Sequence, residues 1–144
     1  MSQSNDERFA IALHTTARLW RVALDRRLKD LGMGQASWMT IATVAKGEPL
    51  SQTELASRIG VEDPTMVAMI DRLVKAGHLV RTPSETDRRV KLVSLTDGGR
   101  EIYARVKKEA EAFRHDILGD ADAAKLAEVA DFLEAVQRRI EAQP

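Results

Sequence analysis

The segment from Ser51 to Gly99 constrains this chain more than any other, because its start and stop signals follow one another too closely for long elements to fit. Ser51-Gln52-Thr53-Glu54 suits a capping box, in which the serine oxygen takes an orphan helix N–H while Glu54 reaches back. The helix it opens is short, with Leu55, Ala56 and Ile59 turned inward, and Gly60 supplies the sharp turn after it. Glu62 or Asp63 starts a second helix, with Pro64 in the first turn, where its missing N–H costs nothing. Met66, Met69, Ile70 and Leu73 recur at helical spacing as the core face, leaving Pro64, Thr65, Ala68, Arg72 and Lys75 outside until Gly77 ends the helix. Leu79 to Thr82 and Val90 to Leu95 read as an antiparallel pair joined by the polar tip Pro83-Ser84-Glu85-Thr86-Asp87-Arg88-Arg89, although the adjacent Leu92 and Val93 break the alternation. A short helix, a tight turn, a second helix and a basic hairpin form, in that order, the pattern of a winged helix-turn-helix.

Helices flank this segment. Phe9, Leu13, Ala17, Trp20, Leu24, Leu28 and Leu31 make one apolar stripe of about six turns, closed by Gly32 in the manner of a glycine just past a helix end. One small domain has little core to cover so long a stripe, which therefore suits a subunit interface. Its other faces carry Arg18, Arg21, Arg26, Arg27 and Lys29, for which a solvated surface is the usual explanation and phosphate contact the alternative. A second helix runs from Gln35 to Lys46 with Trp38, Ile41, Ala42 and Ala45 on one side, closed by Gly47 and Pro49. Thr96 caps a long helix through Ile102, Val106, Ala110, Phe113 and Ile117; Gly119 breaks it, and a last helix carries Leu126, Val129, Leu133, Val136 and Ile140. The fold class is mainly α (α+β): a single continuous domain with a winged lobe over 35–96 and a helical dimerisation region over 1–34 and 97–144.

Composition removes other classes. A chain of 144 residues can bury roughly two-thirds of its unfolded surface without a staple. It has no cysteine, which excludes disulfides, thiolate zinc sites and thiol-based peroxide sensing together. No apolar run approaches the ~20 residues of a membrane span, and the polar start lacks a signal-peptide core, so the expected location is the cytoplasm. His14, His78 and His115 lie far apart, and no metalloprotease, nucleophile-elbow or phosphate-loop motif occurs, so no catalysis, metal or cofactor is expected. The formal net charge is zero, so any DNA contact must come from local placement of charge. Arg88 and Arg89, adjacent on a short loop, have phosphate as a natural counter-ion; a solvated hairpin tip is the alternative.

Several strings together resemble the MarR family of transcriptional regulators. Asp87-Arg88-Arg89 followed by Leu95-Thr96-Asp97-Gly98-Gly99 is similar to the family's wing signature, and Ser51-Gln52-Thr53-Glu54-Leu55-Ala56 to its first motif helix. Arg18-Leu19-Trp20-Arg21, Arg27-Leu28-Lys29 and Gly60-Val61-Glu62-Asp63-Pro64-Thr65 look most like the SlyA-type branch. The resemblance extends from about Phe9 to Ile140. It implies a homodimer whose first and last two helices interlock, and which binds double-stranded DNA at an inverted repeat, most often as a repressor. By the same resemblance Ser51, Thr53, Pro64, Thr65, Ala68, Arg72, Arg88 and Arg89 face DNA, Arg89 enters the minor groove, and Asp87 orients it through an ion pair that aligns more than it stabilises. Asp87 as a plain turn-former is an equal reading.

Ala68 departs from the family pattern, since many relatives carry a polar residue or arginine there. Its methyl suits thymine, and the helix offers few donors to guanine, so an A·T-leaning specificity is expected. Members of the family commonly release DNA on binding a small aromatic carboxylate, a phenolic compound or an acyl thioester. His14, Arg18, Trp38 and Met39 are the candidates to line such a cleft, Arg18 for a carboxylate and Trp38 for a ring. Packing for Trp38 and solvent exposure for Arg18 are the competing reading. The functional alternative to a regulator is a helical protein-interaction module whose winged part no longer binds DNA.

Overall fold

The computed structural model describes residues 2–144. The described residues form six helices and three short strands: α1 (Asn5–Lys29), α2 (Gln35–Gly47), β1 (Leu50–Ser51), α3 (Gln52–Ile59), α4 (Asp63–Lys75), β2 (Leu79–Pro83), β3 (Lys91–Leu95), α5 (Asp97–Leu118) and α6 (Ala123–Glu141). The chain divides into two compact units, Met1–Glu111 and Ala112–Pro144.

The first unit holds the winged lobe, and the local signals act there as their chemistry requires. Ser51 Oγ accepts from the Glu54 N–H at 3.1 Å and Glu54 Oε1 accepts from the Ser51 N–H at 3.4 Å, which completes the capping box of α3. Gly60 ends α3 at φ 81°, a left-handed conformation that side-chain-bearing residues adopt only at a cost. Gly77 does the same for α4 at φ 85°, with its N–H donating to Val74 O and the His78 N–H donating to Leu73 O. The Thr96 hydroxyl then works twice: it accepts from the Gly99 N–H at 2.9 Å as the cap of α5 and donates to Gly77 O. The end of α4 and the start of α5 are thereby latched to each other.

The sheet has three strands where the sequence predicts two. β1 pairs antiparallel with β3 through Leu50↔Val93 and Ser51↔Leu92, and β2 pairs with the other edge of β3 from Leu79↔Leu95 to Pro83↔Lys91, giving the order β1-β3-β2. β1 is two residues long, too short for any periodicity to reveal. The irregularity at Leu92 and Val93 also resolves: Val93 and Leu95 are buried while Leu92 lies half-exposed on the opposite face, and Val90 falls outside the strand.

Ile41, Val44, Leu50, Leu55, Met66, Ile70, Leu79 and Val93 form the centre of the lobe's core. Each contributes about 1.5 to 3 kcal/mol by leaving water. α2 presents Thr40, Ile41 and Val44 to this core, with Trp38 and Ala45 packed against it; of the predicted face only Ala42 stays outside, and Val44, the larger apolar group, is buried in addition. The Thr40 hydroxyl donates to Ala36 O at 2.7 Å, which accounts for a buried threonine in that face.

α1 is longer than predicted, 25 residues, and its cap is Asp30, so Gly32 stands two residues past the cap. Its stripe is only partly used. Leu24 and Leu28 are buried, whereas Phe9 and Leu13 of the stripe are exposed, as are Ile11, Leu19 and Val22 outside it. In the second unit α6 is capped by Asp122, whose Oδ1 accepts from the Ala124 N–H at 3.1 Å. α6 buries none of its residues fully, and Leu126, Val129 and Ile140 are exposed. Phe113, on α5, is buried. No described helix is long and apolar enough to cross a membrane.

Candidate nucleic-acid interface

The hydrophobic core decides which side of α4 meets solvent. With Met66, Met69, Ile70 and Leu73 buried, Pro64, Thr65, Ala68 and Arg72 are all exposed, and Val67 lies beside them at the surface. α4 starts on Glu62 with Pro64 in its first turn, and it carries Arg72 and Lys75 in its last turn, where a cation complements the helix dipole. Of the two α3 residues singled out from sequence, Thr53 is exposed, while Ser51 is half-buried with its hydroxyl engaged as the cap.

Short bonds order the hairpin tip. The Ser84 N–H donates to Val90 O at 2.9 Å, the Thr86 N–H donates to Ser84 Oγ at 3.3 Å, and the Val90 N–H donates to Asp87 O at 3.0 Å. Asp87 accepts from the Arg89 backbone N–H (3.1 Å), from Arg89 Nε (3.1 Å at Oδ1) and from Arg89 Nη2 (3.2 Å at Oδ2). The first bond is the two-residue reach by which aspartate builds turns, and the other two form a forked carboxylate–guanidinium pair. One carboxylate thus makes both the turn bond and the ion pair with Arg89. Hydrogen bonds from the Arg89 side chain and then from its backbone hold the Asp87 carboxyl below the usual carboxylate range. The Arg89 side chain is 91% exposed, so its fork is aligned without being buried. Arg88, with Pro83, Ser84, Glu85 and Lys91, lines a shallow hollow of about 490 Å³ on the wing.

Sequence reasoning passed over Arg81. Its Nε donates to Gln52 Oε1 at 2.7 Å, and its Nη2 lies 2.6 Å from Asp71 Oδ1 and 3.3 Å from Val67 O. The available signal was register: Arg81 shares a strand face with the buried Leu79, an unusual place for a charge. Glu48 was missed as well. Its Oε2 accepts from the Leu95 N–H at 2.7 Å and its Oε1 pairs with Arg100 Nη2 at 2.6 Å, which joins the end of α2 to β3 and α5.

The four residues expected to line an effector cleft divide into two groups. His14 and Arg18 line a groove of about 640 Å³ along α1, together with Arg21, Asp25, Arg26, Lys29 and Gln35. Asp25 Oδ1 is buried there without a hydrogen-bond partner among the described residues. Trp38 instead packs against the lobe core, with its Nε1 buried and also unpartnered, and neither it nor Met39 borders the groove. Trp38 lies one turn before Ile41, so the core draws the indole inward.

A capped two-helix motif with an exposed second helix and an arginine-tipped hairpin is the architecture of a winged helix-turn-helix regulator. Residues 31–90 match the MarR family. The transcriptional regulator PA3341 is similar over 94% of this chain and 99% of its own, with 33% sequence identity and a TM-score of 0.86. This chain belongs to the MarR family of winged helix-turn-helix transcriptional regulators. CouR from Rhodococcus jostii RHA1, solved with p-coumaroyl-CoA bound, shares the fold at 22% identity and a TM-score of 0.81, over 94% of this chain and 95% of its own. Apo wild-type MarR from E. coli does so at 23% identity and a TM-score of 0.76, over 88% and 95%.

Proposed function

We propose that this regulator acts in the cytoplasm as a homodimer on double-stranded DNA, where it represses transcription from an inverted-repeat operator until a small effector releases it. The observation that carries the reading is the wing tip, where Asp87 aligns a guanidinium that is otherwise open to solvent, on the same unit as the exposed face of α4. Pro64, Thr65 and Ala68 meet base edges, Arg72 and Arg88 meet phosphate, Ser51 and Thr53 stand at the backbone, and Arg89 enters the minor groove. The exposed apolar residues of α1 and of α6 supply the surfaces for a second copy. Two copies place their reading helices about one duplex turn apart, ~34 to 36 Å, which accounts for the inverted repeat.

Within the family we assign the chain to the SlyA-type branch, on the strings around Arg18-Leu19-Trp20-Arg21 and Gly60 to Thr65. The effector is an aromatic carboxylate, a phenolic compound or an acyl thioester. His14 and Arg18 in the α1 groove supply its charge recognition, and the acyl thioester bound by CouR supports that chemical class. With Ala68 at the centre of α4, the half-site leans to A·T, and a strict guanine requirement at its centre would count against this.

Sedimentation of the purified protein and its binding to duplex DNA at several salt concentrations test the whole reading. A dimer whose affinity falls with a log–log slope of about −0.9 per phosphate contact is expected. A stable monomer, or no salt-sensitive binding to any duplex, would favour the interaction module instead.

A further inference from the structure

We propose that Arg81 is a positioning residue for DNA recognition, a clamp that sets the seat of α4 relative to α3 and the wing. The inference rests on the duplex-binding reading above. One guanidinium, on a wing strand, reaches Gln52 at the first position of α3 and both Val67 O and Asp71 on α4. Val67 and Asp71 are one helical turn apart, and each immediately precedes an outward residue of the reading face, Ala68 and Arg72. The clamp therefore runs along the flank of the surface proposed to meet bases. A recognition helix has to be held within about 0.5 Å and 10–20° of its working geometry, and a planar fork with fixed donors does this better than a flexible ammonium.

The obvious rival role, a cation for phosphate, fits less well. The Arg81 side chain is 25% exposed against 91% for Arg89, and its Nε and Nη2 donors are engaged within the lobe. Asp71, 60% exposed on a helix proposed to approach a polyanion, is electrostatically unfavourable for DNA binding unless its pairing serves another purpose.

That sign makes the test sharp. Asp71→Asn removes a negative charge from the DNA side, so electrostatics alone tightens binding to every duplex. Positioning predicts the opposite: affinity falls about tenfold, about 1.4 kcal/mol, for a labelled duplex selected by the wild-type protein from a randomised library. Affinity for a scrambled duplex stays the same, whereas partial unfolding would lower both equally. Arg81→Lys keeps the charge but cannot span the partners, and shows the same selective loss. Arg81→Gln leaves the salt slope of the wild type, whereas loss of a phosphate contact flattens it by about 0.9 per site. Tighter or unchanged binding by Asp71→Asn, wild-type affinity in Arg81→Lys, or a flattened slope in Arg81→Gln overturns the clamp while leaving the DNA reading intact. A wild-type protein that binds no duplex overturns both. Should the Arg81 variants fail to fold, the isosteric change at the exposed Asp71 still decides.

Discussion

Replacing Arg89 by alanine removes one guanidinium from each wing, two from the proposed dimer. The side chain is 91% exposed, so its loss leaves no cavity, and the melting temperature should move by no more than about 2 °C. Binding should change in a way that salt reveals. If each guanidinium displaces one condensed counter-ion, the loss of two flattens the slope of log affinity against log salt by about 1.8. Across a fourfold rise in salt, from about 50 to about 200 mM, the wild-type affinity then falls about 12-fold more than that of the variant. Fluorescence anisotropy with a labelled duplex measures both lines directly. Asp87→Asn is the companion variant, since it keeps the cation but loses the charged fork; its line should lie at weaker affinity throughout and run parallel to the wild type. Equal slopes for Arg89→Ala and wild type would show that this side chain never meets the DNA backbone or groove. A large fall in melting temperature would show that it holds the lobe together instead.

Three further outcomes follow from the same geometry. Val129→Asp places a charge on an exposed apolar position of α6; it should weaken the dimer by about 3 to 5 kcal/mol, giving monomers in sedimentation at micromolar concentration, and a variant that remains dimeric would move the interface elsewhere. Thr96→Val deletes both the cap of α5 and the bond to Gly77 O, and should cost about 2 kcal/mol in urea unfolding, with Thr96→Ser retaining most of it; a loss below about 0.5 kcal/mol would refute the latch. The Asp87 carboxyl titrates below its ordinary value of 3.8, so the contribution of its pair is fully present above that pH, is lost as pH falls through the lowered value, and does not vary near neutrality. An NMR titration should place the Asp87 midpoint below 3.8 in the wild type and back near it in Arg89→Ala, and an unshifted wild-type midpoint would contradict the pairing.

The parts legible in the sequence are those whose partners lie within one helical turn. Ser51 and Glu54, Thr96 and Gly99, and the glycines after α3 and α4 obey rules of three or four residues, and the burial of Met66, Met69, Ile70 and Leu73 follows from period alone. From these came the helix-turn-helix, its outward face and the arginine tip. The bond from Arg81 to Gln52 spans 29 residues and that from Leu95 to Glu48 spans 47, and no local rule connects such positions. β1 exists because β3 offers it an edge, and Trp38 packs against a core assembled from distant parts of the chain. The sequence by itself determined the helices, the caps of α3 and α5 and the buried face of α4, because backbone capping and side-chain period are local physics. Which faces met one another, and which charges were consumed in holding them, was decided only in three dimensions, where residues distant in the chain compete for the same partners.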